Sequence, residues 1–244
     1  MTTMLAASYF SQTVEFEEPT SSAFIALLNK KGFVFEKAPI LDNPKLRFKL
    51  EPSGRFHDLW LDNKVICKRK TPEFLSEFVI NRIQKLIPER VPSLVFFKGD
   101  ALVTPCGEAL LLAGPNFSGQ STLARELIRL GGLRWSSGLV AINSAGQALP
   151  SFSQSSSEAG RVVSGVSLLS YRPTSPWRIS SLTPGQSVLK LLPLTFGGSA
   201  IASRSLSFLT AMAKTTSFRV EGERGEARLG LDLFLQSQLW NSRN

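Results

Sequence analysis

Apolar and polar positions alternate in Lys45-Leu46-Arg47-Phe48-Lys49-Leu50, the period-two signature of a half-buried strand. Shorter apolar runs at Phe33-Val34-Phe35, Leu59-Trp60-Leu61 and Val65-Ile66-Cys67 predict further strands. Turn-forming clusters at Asp42-Asn43-Pro44, Pro52-Ser53-Gly54 and Asp62-Asn63 separate them. Two helical patterns bracket this group. Pro19-Thr20-Ser21-Ser22 supplies cap residues ahead of Ala23-Phe24-Ile25-Ala26-Leu27-Leu28, and Gly32 closes that turn of chain. Thr71-Pro72-Glu73 opens a second helix, with Leu75, Phe78, Val79, Ile83 and Leu86 on one stripe and Pro88 and Pro92 as its stop. Residues 1–18 carry Glu15, Glu17 and Glu18 at their end and read as a flexible leader, without the basic and apolar regions of a secretory signal. Residues 19–92 then form a small α+β module.

A different rhythm starts at residue 93. Leu94-Val95-Phe96-Phe97 and Ala101-Leu102-Val103 read as two strands, and Pro105-Cys106-Gly107-Glu108 as a turn. Ala109-Leu110-Leu111-Leu112-Ala113 is wholly apolar, as a strand buried on both faces must be. A loop over residues 114–119 leads into a helix over 121–130, stopped by Gly131-Gly132. Leu139-Val140-Ala141-Ile142 is a second buried strand, turned by Asn143-Ser144-Ala145-Gly146. Residues 150–157 are Ser-rich and expected at the surface. Residues 182–198 hold turn signals at Pro184-Gly185, Pro193 and Gly197-Gly198. Residues 200–213 have helical period, with Ile201, Leu206, Leu209 and Met212 on one face.

Composition narrows the chemistry. The 244 residues are 43% hydrophobic and 19% charged, enough apolar content for a core. No apolar run reaches the ~20 residues of a membrane span. One histidine, His57, and two cysteines, Cys67 and Cys106, exclude a disulfide framework and a Cys/His zinc cluster, and the sparse cysteine usage fits a reduced, cytoplasmic protein. Lys and Arg number 28 against 19 Asp and Glu, a formal charge of +9. The excess is concentrated. Residues 109–220 hold ten bases, among them Arg125, Arg129, Arg172, Arg178 and Lys190, but only Glu126 and Glu158 as acids, a difference of +8. Such a field attracts phosphates, nucleic acid or an acidic protein face. It also leaves almost no carboxylate in that stretch for a magnesium ion or for general-base catalysis.

The sequence Gly114-Pro115-Asn116-Phe117-Ser118-Gly119-Gln120-Ser121-Thr122 lies between an apolar strand and a helix. It matches the phosphate-loop pattern G-x-x-x-x-G-K-[ST] except that Gln120 stands in place of Lys. Backbone N–H groups and the helix N-terminus cradle phosphate in such loops, and that part survives a change of side chain. The point charge on the β/γ-phosphates does not. Gly114, Asn116, Ser118, Gly119, Gln120, Ser121 and Thr122 are therefore the expected phosphate-binding residues, with Ser121 the one hydroxyl suited to a metal.

Lys98-Gly99 followed by residues 109–142 resembles the C-terminal domain of the HPr kinase/phosphorylase family, and the tail from Pro193 to Phe218-Arg219-Val220 is similar in order and length. The resemblance covers about 150 residues. It implies an α/β chain whose residues 93–244 form a P-loop kinase-like domain of the HPr kinase/PEP carboxykinase type behind the small α+β module. In that family a His occupies the position of Lys98, and a pair of acids used for magnesium and as general base occupies Ser137 and Gly138. No Asp or Glu lies between Glu126 and Glu158. Glu126 is expected to pair on its own helix with Arg125 or Arg129.

The resemblance therefore implies a degenerate, pseudokinase-like member with no catalytic residues. Its expected role is a binding, regulatory or structural one towards a protein or peptide, with oligomerisation open. Weak ATP or other nucleotide binding is compatible with the loop, and magnesium is disfavoured. An active atypical ATP-dependent protein or peptide serine kinase would need Lys98, Arg172, Arg178 or Lys190 to replace the missing charge and Glu158 to replace the carboxylates. A nucleic-acid-binding module would use the basic half, although Phe96, Phe97, Trp135 and Trp177 read as core aromatics.

Overall fold

The structure is a computed structural model, and it describes residues 4–10, 12–17, 21–38, 46–115, 117–151, 160–171, 178–196 and 202–224. The chain divides into two compact units at Arg90/Val91. Both mix helices and sheet, so the chain is α/β in the broad sense.

In the first unit, strands β1 (Met4–Tyr9), β2 (Gln12–Glu17), β3 (Glu36–Ala38), β4 (Leu46–Ser53), β5 (Phe56–Leu61) and β6 (Lys64–Lys70) form a sheet in the order β3-β1-β2-β4-β5-β6. Residues 4–17, expected to be a leader, are thus structural. Val14 and Phe16 are fully buried, and Phe16 stacks on Phe48 at 5.4 Å, which repays the entropy of ordering them. The acids at the end of the segment concealed this. Glu15 is itself buried and meets Arg47 at 3.2 Å. Helices α1 (Ser22–Lys30) and α2 (Pro72–Arg90) complete the unit. Pro88 lies inside α2 instead of ending it. It forfeits one intrahelical hydrogen bond, and burial of Ile87 and Pro88 carries the helix two residues further.

The second unit is built on an eight-stranded sheet. Its path runs β11 (Gln147–Leu149), β10 (Leu139–Ile142), β7 (Val95–Val103), β8 (Ala109–Ala113), β12 (Arg161–Tyr171), β14 (Phe218–Arg224), β13 (Arg178–Ser181). The eighth strand, β9 (Leu133–Ser136), pairs with β7. β8 is antiparallel to β7 and parallel to β12. Helix α3 (Gln120–Arg129) covers one face, where Leu123, Ala124 and Leu127 pack with Leu102, Leu110, Leu112 and Leu169. Helices α4 (Pro184–Leu191) and α5 (Ala202–Thr215) belong to the opposite core, with Phe97, Ala101, Leu111 and Val166.

Two expectations change here. β7 is continuous where two strands were expected, because Lys98-Gly99-Asp100 continues the ladder. A side chain at Gly99 would stand 2.6 Å from the Leu112 carbonyl oxygen, so glycine at this position permits close pairing and does not mark a turn. Pro184-Gly185, expected as a turn, opens α4. Thr183 is its N-cap, Pro184 the first helical residue, and Gln186 completes a capping box.

Candidate phosphate-binding loop

β8 is buried along its whole length and ends at the loop. Gly114 is required there by close approach, since a Cβ would lie 2.3 Å from the Leu169 carbonyl oxygen on β12. Gly119 has φ 87° and is the N-cap of α3 without a capping side chain. Its carbonyl accepts from the N–H groups of Thr122 at 3.1 Å and Leu123 at 3.0 Å. The N–H groups of Gln120 and Ser121 in the same turn have no partner among the described residues. Ser118 is 2% exposed and its hydroxyl has no hydrogen-bond partner among the described residues. That hydroxyl turns inward beside Gly114, 2.8 Å from where a Cβ would stand. Gln120 Nε2 donates to the Gly114 carbonyl at 2.9 Å and ties the two ends of the loop together. Phe117, 94% exposed with φ 65°, stands at the outer turn in a conformation costly for a bulky residue.

Of the expected site residues, the structure brings Gly114, Ser118, Gly119, Gln120, Ser121 and Thr122 together. Asn116 lies outside the described residues, as do Glu158, Arg172 and Trp177. Glu126 pairs with Arg129 at 2.9 Å on the outside of α3. Phe96 and Phe97 are buried. Trp135 is half-buried, donates its indole N–H to the Ala148 carbonyl and carries the Arg161 guanidinium over its ring at 5.4 Å. Lys98 and Lys190 are exposed. No group of three or more His, Cys, Asp or Glu that could hold a metal ion occurs among the described residues, which include His57, Cys67 and Cys106.

One residue was missed. β9 and β10 run in line along the same edge of β7, where Ser136 pairs with Ala101 and Leu139 with Lys98. Ser137-Gly138 interrupts them opposite Gly99-Asp100. Asp100 is 2% exposed. One of its oxygens, Oδ1, accepts from the Gly138 N–H at 3.1 Å, and the other, Oδ2, from the Ser121 hydroxyl at 3.4 Å. A carboxylate absent from positions 137 and 138 thus reaches the same place from the neighbouring strand. The signal was available: with β7 read as one strand, alternation puts Lys98, Asp100 and Leu102 on the α3 face.

No protein-family model matches the chain, and no curated protein matches it.

Proposed function

We propose that the second unit is a P-loop kinase-like domain, of the HPr kinase-like type, that holds the phosphates of a nucleotide without transferring them. On this reading the chain acts through binding, as a regulatory or structural partner of a protein or peptide. The observation that carries it is the inward Ser118 hydroxyl, buried and unpartnered, beside a helix N-terminus with two open N–H groups. Phosphate oxygens accept from donors of this kind and are favoured by the helix dipole.

The loop lacks groups that phosphoryl transfer requires. Gln120 cannot supply the cation that a P-loop lysine gives to the β/γ-phosphates. Each missing electrostatic stabiliser costs about 2.7–4 kcal/mol in a transition state. The one carboxylate at the loop among the described residues, Asp100, has both oxygens engaged.

Thermal melting with ATP, GTP or pyrophosphate is the direct test. A ligand at 100 times its Kd adds about 2.7 kcal/mol, a rise of roughly 5–11 °C at about 2–4 °C per kcal/mol for a chain of this size. No rise with any of these compounds at millimolar concentration overturns the proposal. Gln120→Lys is expected to bind nucleotide more tightly, since it adds the charge and removes the tie to Gly114, and still to show no phosphoryl transfer to protein. Robust transfer by that variant would refute the non-catalytic part.

A further inference from the structure

Helices α4 and α5, on the sheet face opposite α3, enclose an apolar groove of about 270 Å³. Val188 and Ala213 line it and belong to the core beneath. Leu189, 67% exposed, and Leu206, 45% exposed, also line it and leave apolar surface in water. Gly185 is the residue that the fold does not explain. It lies in the first turn of α4, where its backbone is helical and not left-handed. A Cβ there would meet nothing within 4 Å. Neither a turn nor a close approach requires glycine, and a side chain would favour the helix. What glycine does at this position is keep the groove open.

The charge around the groove has one sign. The sequence has no Asp or Glu from Ala159 to Val220. α4 and α5 carry Lys190, Arg204 and Lys214 and no acid, and Lys214 lines the groove itself. This selects the occupant. A second copy of the chain would bring the same bases to a two-fold contact and be repelled. A lipid surface is flat and touches the leucines without entering the cleft. A groove between two helices receives the apolar ridge of a third, and carboxylates beside that ridge meet the basic helices with opposite charge.

We propose that the α4/α5 groove docks an acidic amphipathic helix of a partner protein, with an apolar side chain seated over Gly185, between Leu189 and Leu206, and carboxylates facing Lys214 and its basic neighbours. This rests on the part of the reading above in which the chain acts on a protein or peptide, and adds to it the surface used and the chemistry of the partner. It does not depend on phosphate being bound, since no residue of the loop lines the groove.

The test is fluorescence anisotropy of the full chain with a fluorescein-labelled synthetic helix that has Leu at i, i+3, i+4 and i+7 and Glu on its flanks. One control peptide keeps the Leu spacing and replaces Glu with Lys; the other keeps the composition and scatters the Leu so that no apolar face forms. The Glu helix is expected to bind at least about tenfold more tightly than either control. Gly185→Leu fills the groove, and Leu206→Ser removes one exposed wall. Each is expected to weaken binding at least about tenfold and to leave the response of the melting midpoint to pyrophosphate unchanged. Lys214→Glu is expected to weaken binding more at low salt than at high salt. If Gly185→Leu does not fold by melting, Leu206→Ser carries the same expectation. No binding of the Glu helix, equal binding of all three peptides, or binding unmoved by both groove substitutions overturns this inference. A dimer in sedimentation that Gly185→Leu dissociates assigns the groove to a second copy, and phosphatidylserine vesicles bound in place of the peptide assign it to a lipid surface; either overturns it. A pyrophosphate response without peptide binding leaves phosphate binding standing and removes this inference alone. Peptide binding without a pyrophosphate response removes the phosphate-binding reading alone.

Discussion

At the residue scale, the loop holds a conflict between stability and binding in one side chain. Burying a hydroxyl without a partner costs about 1–3 kcal/mol, and the Ser118 hydroxyl is buried with no partner among the described residues. Ser118→Ala is therefore expected to raise the melting midpoint by about 2–4 °C for each kcal/mol recovered while weakening pyrophosphate binding; a lowered midpoint would show that Ser118 has a structural role. The loop was legible from residue types because a strand, two spaced glycines and a helix form a local pattern. Asp100 was not. Its importance comes from pairings with residues about twenty and forty positions away, Ser121 and Gly138, and it lies outside the basic stretch of residues 109–220 that holds the loop.

At the scale of elements, most strands and helices followed from periodicity: α1, α3, β8 and β10 lie close to where their patterns put them. Failures clustered at glycine and proline. Periodicity leaves residues 98–100 between two short strands, reads Pro184-Gly185 as a turn and makes Pro88 a helix stop, whereas β7 and α2 run through and Pro184 opens α4. Each residue breaks structure when considered alone, and tertiary packing or a cap overrides it. The cap of α4 can be tested. Thr183 Oγ1 accepts from the Gln186 N–H at 3.2 Å, and Gln186 Oε1 accepts from the Thr183 N–H at 2.9 Å. Thr183→Ala is expected to cost about 0.5–2 kcal/mol, measured by urea unfolding; an unchanged midpoint would mean that packing of α4 alone sets its start. β12 had no reading at all, because serines and a glycine interrupt its apolar positions, although the strand is buried for most of its length.

For the whole molecule, the division into two units has a practical meaning. Every described residue of the candidate site belongs to the second unit. Ile83→Val in α2, a buried position of the first unit, is expected to cost about 0.5–1.5 kcal/mol and to leave the Kd for pyrophosphate unchanged. A change in that Kd would mean that the first unit takes part in binding. No helix among the described residues is long and apolar enough to cross a membrane. The hairpin that joins β7 to β8 bears on the site from a distance. Its turn closes through Thr104, Gly107 and Glu108 and sets Val103 against Ala109 and Gly99 against Ala113. Strand side chains alternate, so one extra residue in that turn, shifting β7 by one step, would carry Asp100 through the sheet to the α5 side. The acid would then be present in the gene and missing from the loop: this protein's electrostatics are written in the length of a turn.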